Sequence, residues 1–172
     1  MNTIFIGNAV AFIAASFSII LGIIKNRKKL IYIQTIQSLT YTISNTILGG
    51  ISGAIANFIG MIRNILCYKE KLTKVAILLI IIISTILTLV FNNLDFIGLL
   101  PLFATIIYTC FINEKNPLKF KLLFLITSTL WFFYDLSIKA YTSAIFDLFA
   151  IITSTIAAYQ IYKSSKKEKQ QN

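Results

Sequence analysis

Long apolar blocks, separated by short polar connections, organise this chain. Seven blocks of about 17–22 residues can be delimited: Ile4–Ile24, Leu30–Leu48, Ile51–Cys67, Val75–Phe91, Phe96–Ile112, Phe120–Ile138 and Tyr141–Tyr162. As helices, such blocks are long enough to cross a hydrocarbon layer of roughly 30 Å. They lack the alternation that a transmembrane barrel requires. The pattern therefore predicts an all-α integral membrane protein with seven transmembrane helices.

One face of the third block is small or polar, and a similar face returns ninety residues later. The first set is Gly53, Asn57, Gly60, Asn64 and Cys67, and the second is Ser143, Asp147, Ala150, Ser154 and Ala157. Spacings of three and four residues put each set on one side of a helix. Two apolar helices that each carry a polar stripe are most simply placed facing each other across an axis.

The same offset relates polar and aromatic positions of the second and sixth blocks. The matched pairs are Ser38 with Ser128, Tyr41 with Trp131, and Asn45 with Asp135. Blocks one to three thus recur as blocks five to seven, and the fourth block restores the direction of the chain between them. The prediction is two parallel three-helix repeats joined by a linker helix (3+1+3), a known transporter architecture. The expected divisions are 1–68 and 96–162 for the repeats, 69–95 for the linker helix with its loops, and 163–172 for a basic tail.

Positive charge in the connections predicts how the chain lies in the membrane. The net charge is +10, and fourteen of the 16 Lys and Arg residues follow the odd-numbered blocks. The positive-inside rule then places the N-terminus outside and the C-terminus in the cytoplasm. The tail 163–172 is expected to be a disordered basic anchor on anionic lipid.

The amino-acid composition argues against several kinds of functional site. The chain is 57% hydrophobic, contains no histidine, and has two isolated cysteines, so we expect no metal site and no cofactor. Membrane topology accounts for the basic charge, so nucleic acid is not expected as a partner. No Ser-His or Cys-His pair and no metalloprotease motif is present, and we do not expect an enzyme.

Asn57 and Asp147 are the first candidates for a binding site. Asn57 lies near the middle of the third block, and Asp147 is its counterpart in the seventh. An ionisable group inside a membrane usually faces protein or water and has a function. The alternative for Asn57 is helix packing, in which small residues and an amide hold two helices together.

A second set of candidates comes from the second and sixth blocks. Tyr41 and Trp131 each precede Asn57 or Asp147 by sixteen residues, with a tight turn between, so each pair should lie at a similar depth. An aromatic face beside an amide or acid suits a polar solute; the alternative is an outer interfacial belt. Asn45 and Asp135 are either gate residues or solvated groups near the outer surface.

Three further residues are assigned to gate or surrounding positions: Arg63, Asn64 and Pro101. For Arg63 we favour snorkelling to the inner interface over capture of a substrate anion. Pro101 should break one backbone hydrogen bond in the fifth block and permit a kink.

The plan resembles the SWEET, SemiSWEET and PQ-loop superfamily of small transporters. More closely, GAIANFIGMIRNILCYK and LWFFYDLSIKAYTSAIFDLFAIIT resemble the YgjV family of bacterial inner membrane proteins over about 4–162. The superfamily resemblance implies a substrate site formed by Asn57, Asp147, Tyr41 and Trp131. A carboxylate at Asp147 suits a cationic solute or proton coupling at least as well as a neutral sugar.

Two functions remain open from the sequence. The first is a carrier of a small polar solute that works by rocking of the two halves around an axial site. The second is a receptor or assembly protein that uses the same bundle only for binding. The expected partners are the lipid bilayer and a small polar solute, and self-association into a homo-oligomer is left open.

Overall fold

The chain folds entirely into helices over the residues that the structure describes. The computed structural model describes residues 2–23, 26–112 and 116–171, and these contain seven α-helices and no strand. The helices are α1 Thr3–Ile23, α2 Arg27–Ile47, α3 Ile51–Tyr68, α4 Lys74–Phe91, α5 Leu100–Phe111, α6 Pro117–Ser137 and α7 Tyr141–Gln171. A short 3-10 segment, Ile97–Leu99, leads into α5. The predicted all-α class and seven helices are confirmed for this part of the chain.

Four of the described helical segments are long and apolar enough to cross a membrane. They are Ile51–Tyr68, Lys74–Phe91, Leu118–Ser137 and Tyr141–Ser164. Two apolar segments are shorter, Thr3–Ser18 and Ile97–Phe111. Helix α2 is the most polar of the seven described helices. Its threonine hydroxyls donate to backbone carbonyls one turn earlier, as Thr35 does to Ile31, which satisfies them within the helix.

The turns that join α2 to α3 and α6 to α7 have the same geometry. Gly49 and Lys139 adopt positive φ angles of 77° and 61° at the two helix ends. The next amide in each turn donates to a carbonyl five residues earlier, Gly50 to Asn45 and Ala140 to Asp135, at 2.8 Å in both cases. This is the Schellman ending, which reverses the chain within a few residues.

Six helices pack side by side in a closed order. Helix α1 contacts α2, α2 contacts α3, α3 contacts α5, α5 contacts α6, α6 contacts α7, and α7 returns to α1. Helix α4 lies outside this ring against α3 and α5, and most of its side chains are exposed, as expected for a lipid-facing helix. The division into two three-helix repeats stays a prediction.

The connections alternate between two ends of the bundle. At one end, Asn8 of α1 donates to the Lys139 carbonyl at 2.8 Å, and Asn93 donates to the Gly49 carbonyl at 3.1 Å. At the other end, Lys28 in the first turn of α2 and Glu70 in the loop after α3 form a salt bridge of 3.0 Å. We call these the turn end and the basic end. Which end faces the cytoplasm stays a prediction.

Two expectations from the sequence are wrong in detail. Pro101 occupies the first turn of α5, where the missing N–H would have no helical partner in any case, so it begins the helix and does not kink it. The tail is not disordered over the residues that the structure describes, because α7 continues as a helix to Gln171, and its role as a lipid anchor stays a prediction. Its Lys, Glu and Gln residues favour helix, and neither glycine nor proline is present to end it.

Candidate functional site

A cavity of about 280 Å³ lies between the six ring helices. Every helix except α4 contributes to its wall. The lining residues are Ser18, Gln34, Gln37, Ser38, Tyr41, Asn45, Ala56, Asn57, Gly60, Arg63, Asn64, Ala104, Thr105, Tyr108, Phe124, Thr127, Ser128, Trp131, Asp135, Phe146, Asp147 and Ala150. Pockets of this volume fall at the small end of the range for ligand sites, which suits a small solute.

Of the nine candidate residues predicted from sequence, eight line this one cavity. The cavity brings together the four predicted substrate-binding residues, Asn57, Asp147, Tyr41 and Trp131. It also includes four of the five predicted gate or surrounding residues: Asn45, Asp135, Arg63 and Asn64. Pro101 is buried in the first turn of α5, one turn before the first α5 residue of the wall. A binding role for these residues stays a prediction.

Eighteen of the lining residues form pairs that differ by ninety in residue number. The pairs are Ser18–Tyr108, Gln34–Phe124, Gln37–Thr127, Ser38–Ser128, Tyr41–Trp131, Asn45–Asp135, Ala56–Phe146, Asn57–Asp147 and Gly60–Ala150. The four lining residues without such a partner in the wall are Arg63, Asn64, Ala104 and Thr105. The wall therefore has two related halves and one departure from that relation, on the side of α3 and α5.

Acceptor oxygens cluster on the side of the cavity nearer the turn end. Asn45 and Asp135 are only 2% and 4% exposed, so the expectation that they are solvated near the surface is wrong. The Asp135 carboxyl lies close enough to Asp147 for their charges to interact, with Ser143 beside them. Three buried oxygens here have no hydrogen-bond partner of proper geometry among the described residues: Asn45 Oδ1, Ser143 Oγ and Asp147 Oδ2. A buried acceptor without a donor is costly, so this cluster is suited to a ligand that brings donors.

Both aromatic candidates face the cavity, which does not support a belt at the lipid interface. Tyr41 and Trp131 line the wall, and the Trp131 ring also meets Tyr134 edge-on, with centroids 5.8 Å apart. Asn57 donates its amide to the Gly53 carbonyl on its own helix at 3.0 Å. This bond fixes the Asn57 side chain and leaves its carbonyl oxygen and one amide N–H for a ligand in the cavity.

Arg63 points into the bundle and does not reach the interface. It is 7% exposed, and it donates to Asn64 Oδ1 at 3.1 and 3.3 Å and to Thr109 Oγ1 at 3.4 Å. Its guanidinium lies 4.6 Å from the centre of the Tyr108 ring, a cation–π contact. The favoured expectation of snorkelling is therefore wrong. Snorkelling and burial both satisfy a long cation, and the choice between them depends on neighbours that the sequence of α3 does not reveal.

Besides the contact of Arg63 with α5, a close contact joins α3 to α6 near the turn end. The Gly53 amide, one of those at the start of α3 without a helical acceptor, donates to Tyr134 Oη at 2.7 Å. Tyr134 is fully buried, and a side chain at Gly53 would overlap its ring. Glycine is required here because the two helices approach within contact distance of the backbone.

Several polar residues of the wall were not predicted from the sequence, among them Tyr108 and Gln37. Tyr108 lies ninety residues after Ser18, and Gln37 lies ninety before Thr127. Applying the same offset to every polar or aromatic position of the apolar blocks would have found both. Thr105 has no such signal, since its counterpart is Ala15.

One comparison with known proteins gives a match. The family model Imp-YgjV, described as bacterial inner membrane protein, matches residues 5–165. Comparisons with curated proteins and with solved structures give no match. The matched range covers five of the seven described helices completely, most of α1 and α7, and every residue of the cavity wall.

Proposed function

The chain belongs to the Imp-YgjV family of bacterial inner membrane proteins, and we propose that within that family it carries a small polar solute across the membrane. The observation that supports this most strongly is the cavity itself. It is enclosed by helices of both predicted repeats, and its wall is rich in hydrogen-bonding groups inside an apolar bundle. Polar groups at membrane depth are costly, and they usually mark a substrate or ion pathway.

The contacts on either side of the cavity suit alternating access. Near the turn end, Gly53 of α3 bonds to Tyr134 of α6; near the basic end, Arg63 of α3 bonds to Thr109 of α5. Both contacts join residues of 1–68 to residues of 96–162, the two predicted halves. Rocking of one half against the other would open one contact while the second stays closed. The solute would be held between them and released to either side in turn.

A ligand screen tests this proposal. Purified protein is heated in detergent with each of a few hundred metabolites and ions, beside Asp147→Asn and Asn57→Ala. A solute at 100 times its dissociation constant stabilises the folded state by about 2.7 kcal/mol. We expect at least one solute to stabilise the wild type and to lose its effect in both variants.

Thr153→Val is a matched control for this screen. Thr153 lies on α7 at an exposed position outside the wall, and its hydroxyl bonds to carbonyls of its own helix. This variant should respond to solutes as the wild type does. If a solute stabilises all four proteins equally, it binds elsewhere and the assignment of the cavity fails.

A second candidate is a receptor or assembly protein with the same bundle. Three buried oxygens lack a partner of proper geometry within the described part of the chain, which favours a bound ligand and does not by itself require movement of that ligand. The two functions differ in one measurement: a carrier exchanges labelled solute across a liposome membrane, and a receptor binds the solute without exchange.

A further inference from the structure

Opposite charges line opposite walls of the cavity. Asp135 and Asp147 belong to α6 and α7, and Arg63 belongs to α3. The repeat counterparts of the two acids are the neutral amides Asn45 and Asn57. The counterpart of Arg63 is Thr153, which lies outside the wall. The charges are thus the features that break the relation between the two halves, and they give the cavity a negative side and a positive side.

The negative side is rich in acceptors and has no cation beside it in the described part of the chain. Among the described residues, Asn45 Oδ1, Ser143 Oγ and Asp147 Oδ2 are buried without a hydrogen-bond partner of proper geometry, and neither Asp135 nor Asp147 has a Lys or Arg within salt-bridge distance. A primary ammonium group brings a positive charge and three N–H donors in a compact head. That head can donate to the carboxyl groups of Asp135 and Asp147 and to Asn45 Oδ1. A neutral hydroxyl brings one donor and leaves the acids without a counter-charge.

The positive side has donors without a counter-ion. A guanidinium carries five N–H donors, of which Arg63 uses three, one each from Nε, Nη1 and Nη2, on Asn64 and Thr109. One N–H on each terminal nitrogen is left, and no carboxylate lies within salt-bridge distance of Arg63 among residues 2–23, 26–112 and 116–171. A pair of parallel donors on Nη1 and Nη2 is the arrangement that binds a carboxylate with both oxygens. Gly60 keeps space open beside Nη2, since a Cβ there would lie 3.6 Å from it.

We propose that the solute is a small zwitterion, whose ammonium group binds the Asp135 and Asp147 side and whose carboxylate binds Arg63. This inference rests on the proposed function and names the class of its substrate. A buried charge without a partner is strongly unfavourable, and one zwitterion supplies both partners at once. A cation alone leaves Arg63 without a counter-charge, and an anion alone leaves Asp135 and Asp147 without one. A neutral sugar leaves all three residues without a counter-charge.

The spacing of the two sides limits the length of the solute. Gly60, beside the guanidinium, lies three residues from Asn57, which is about 4.5 Å along α3. Asp147 is the counterpart of Asn57, so the charged groups of the solute should be separated by about one helical turn along the axis and by the width of the cavity. A chain of a few methylene groups spans that separation within about 280 Å³.

A series of amino acids with increasing chain length tests the proposal. Stabilisation of the full-length wild type is measured with glycine, β-alanine, γ-aminobutyrate, δ-aminovalerate and ε-aminocaproate, and with the alkylamine and alkanoate of each length. We expect one length to bind best and at least tenfold more tightly than its amine or its carboxylate. Arg63→Gln should reduce its affinity to that of the amine, and Asp147→Asn should reduce it to that of the carboxylate.

Gly60→Ala keeps the test decisive if Arg63→Gln does not fold. Alanine favours a helix over glycine, and its methyl group would occupy the space beside Nη2 without a clash. This variant should fold at least as well as the wild type and bind the zwitterion at least tenfold more weakly, with Thr153→Val unchanged. The proposal is overturned if the wild type and Gly60→Ala bind the zwitterion equally. It is also overturned if the wild type binds the zwitterion no more tightly than its amine.

The outcomes separate this inference from the proposed function. If a neutral solute binds, loses its effect in Asn57→Ala and exchanges across liposomes, the carrier function stands and the zwitterion is wrong. If the zwitterion binds as expected but does not exchange, the chemistry of the site stands and the carrier function is wrong.

Discussion

Gly53 and Gly60 lie two turns apart on α3, and alanine should have opposite effects at the two positions. At Gly60, the nearest atoms to an added Cβ would be Arg63 Nη2 at 3.6 Å and Ser38 Oγ at 3.9 Å, which are ordinary contacts. At Gly53, the Cβ would lie 2.5 Å from Tyr134 Cε1 and 2.7 Å from its Oη, which is an overlap. One substitution therefore fills open space, and the other forces α3 and α6 apart.

The magnitudes follow from these contacts. Alanine is favoured over glycine in a helix by about 1 kcal/mol, so Gly60→Ala should raise the free energy of unfolding by up to that amount. Gly53→Ala gains the same term, loses about 1–3 kcal/mol to overpacking, and loses about 1–3 kcal/mol more if the displaced Tyr134 no longer accepts from the Gly53 amide. The two variants should differ by at least about 1 kcal/mol, and by at least about 2 kcal/mol if the bond to Tyr134 is lost.

Reversible unfolding in mixed detergent micelles, followed by helical circular dichroism, measures both free energies under one condition. Each variant changes a single glycine of α3 to alanine, so each serves as the control for the other. If Gly53→Ala and Gly60→Ala have the same stability, α3 does not approach α6 as the structure describes, and the contact proposed to close the turn end is wrong.

Three further predictions concern the turn end. Tyr134→Phe removes the acceptor of the buried Gly53 amide and should lower the free energy of unfolding by about 1–3 kcal/mol, while Tyr159→Phe, at an exposed tyrosine of α7, should change it little. Asn8→Ala removes one bond donated to the Lys139 carbonyl and one accepted from the Thr142 amide in the first turn of α7, and should cost about 1–3 kcal/mol. Lys139→Gly relieves a positive φ of 61° and should add about 0.5–1 kcal/mol. The same unfolding assay checks each variant, and an unchanged Tyr134→Phe, an unchanged Asn8→Ala or a destabilised Lys139→Gly would each contradict the corresponding contact.

The wall of the cavity was largely predictable because polar residues are conspicuous in apolar helices. Asn57 and Asp147 stand out among Ile, Phe and Leu, and membrane depth makes an unsatisfied amide or acid costly enough that it must face protein or water. The offset of ninety then identified Tyr41 and Trp131, whose hydrophobicity alone does not distinguish lipid from cavity. The helical spacing of the polar residues and the ninety-residue repeat together predicted most of the candidate residues in the wall.

Other features depend on neighbours that no local pattern encodes. Arg63 is buried because Thr109 and Tyr108 of α5 receive its guanidinium, and the contact between α3 and α5 is not visible in either segment alone. Pro101 looked like an interruption because the apolar block begins several residues before it. The structure uses those residues for a 3-10 turn and begins the α-helix at Leu100.

Exchange of labelled solute in liposomes tests whether the protein is a carrier. The solute that stabilises the wild type is loaded unlabelled inside liposomes that contain the protein, and uptake of the labelled form is followed over time. We expect uptake by the wild type and Thr153→Val, and uptake no faster than in empty liposomes for Asp147→Asn. Binding in the cavity without any exchange by the wild type would contradict the carrier function and would identify the protein as a receptor.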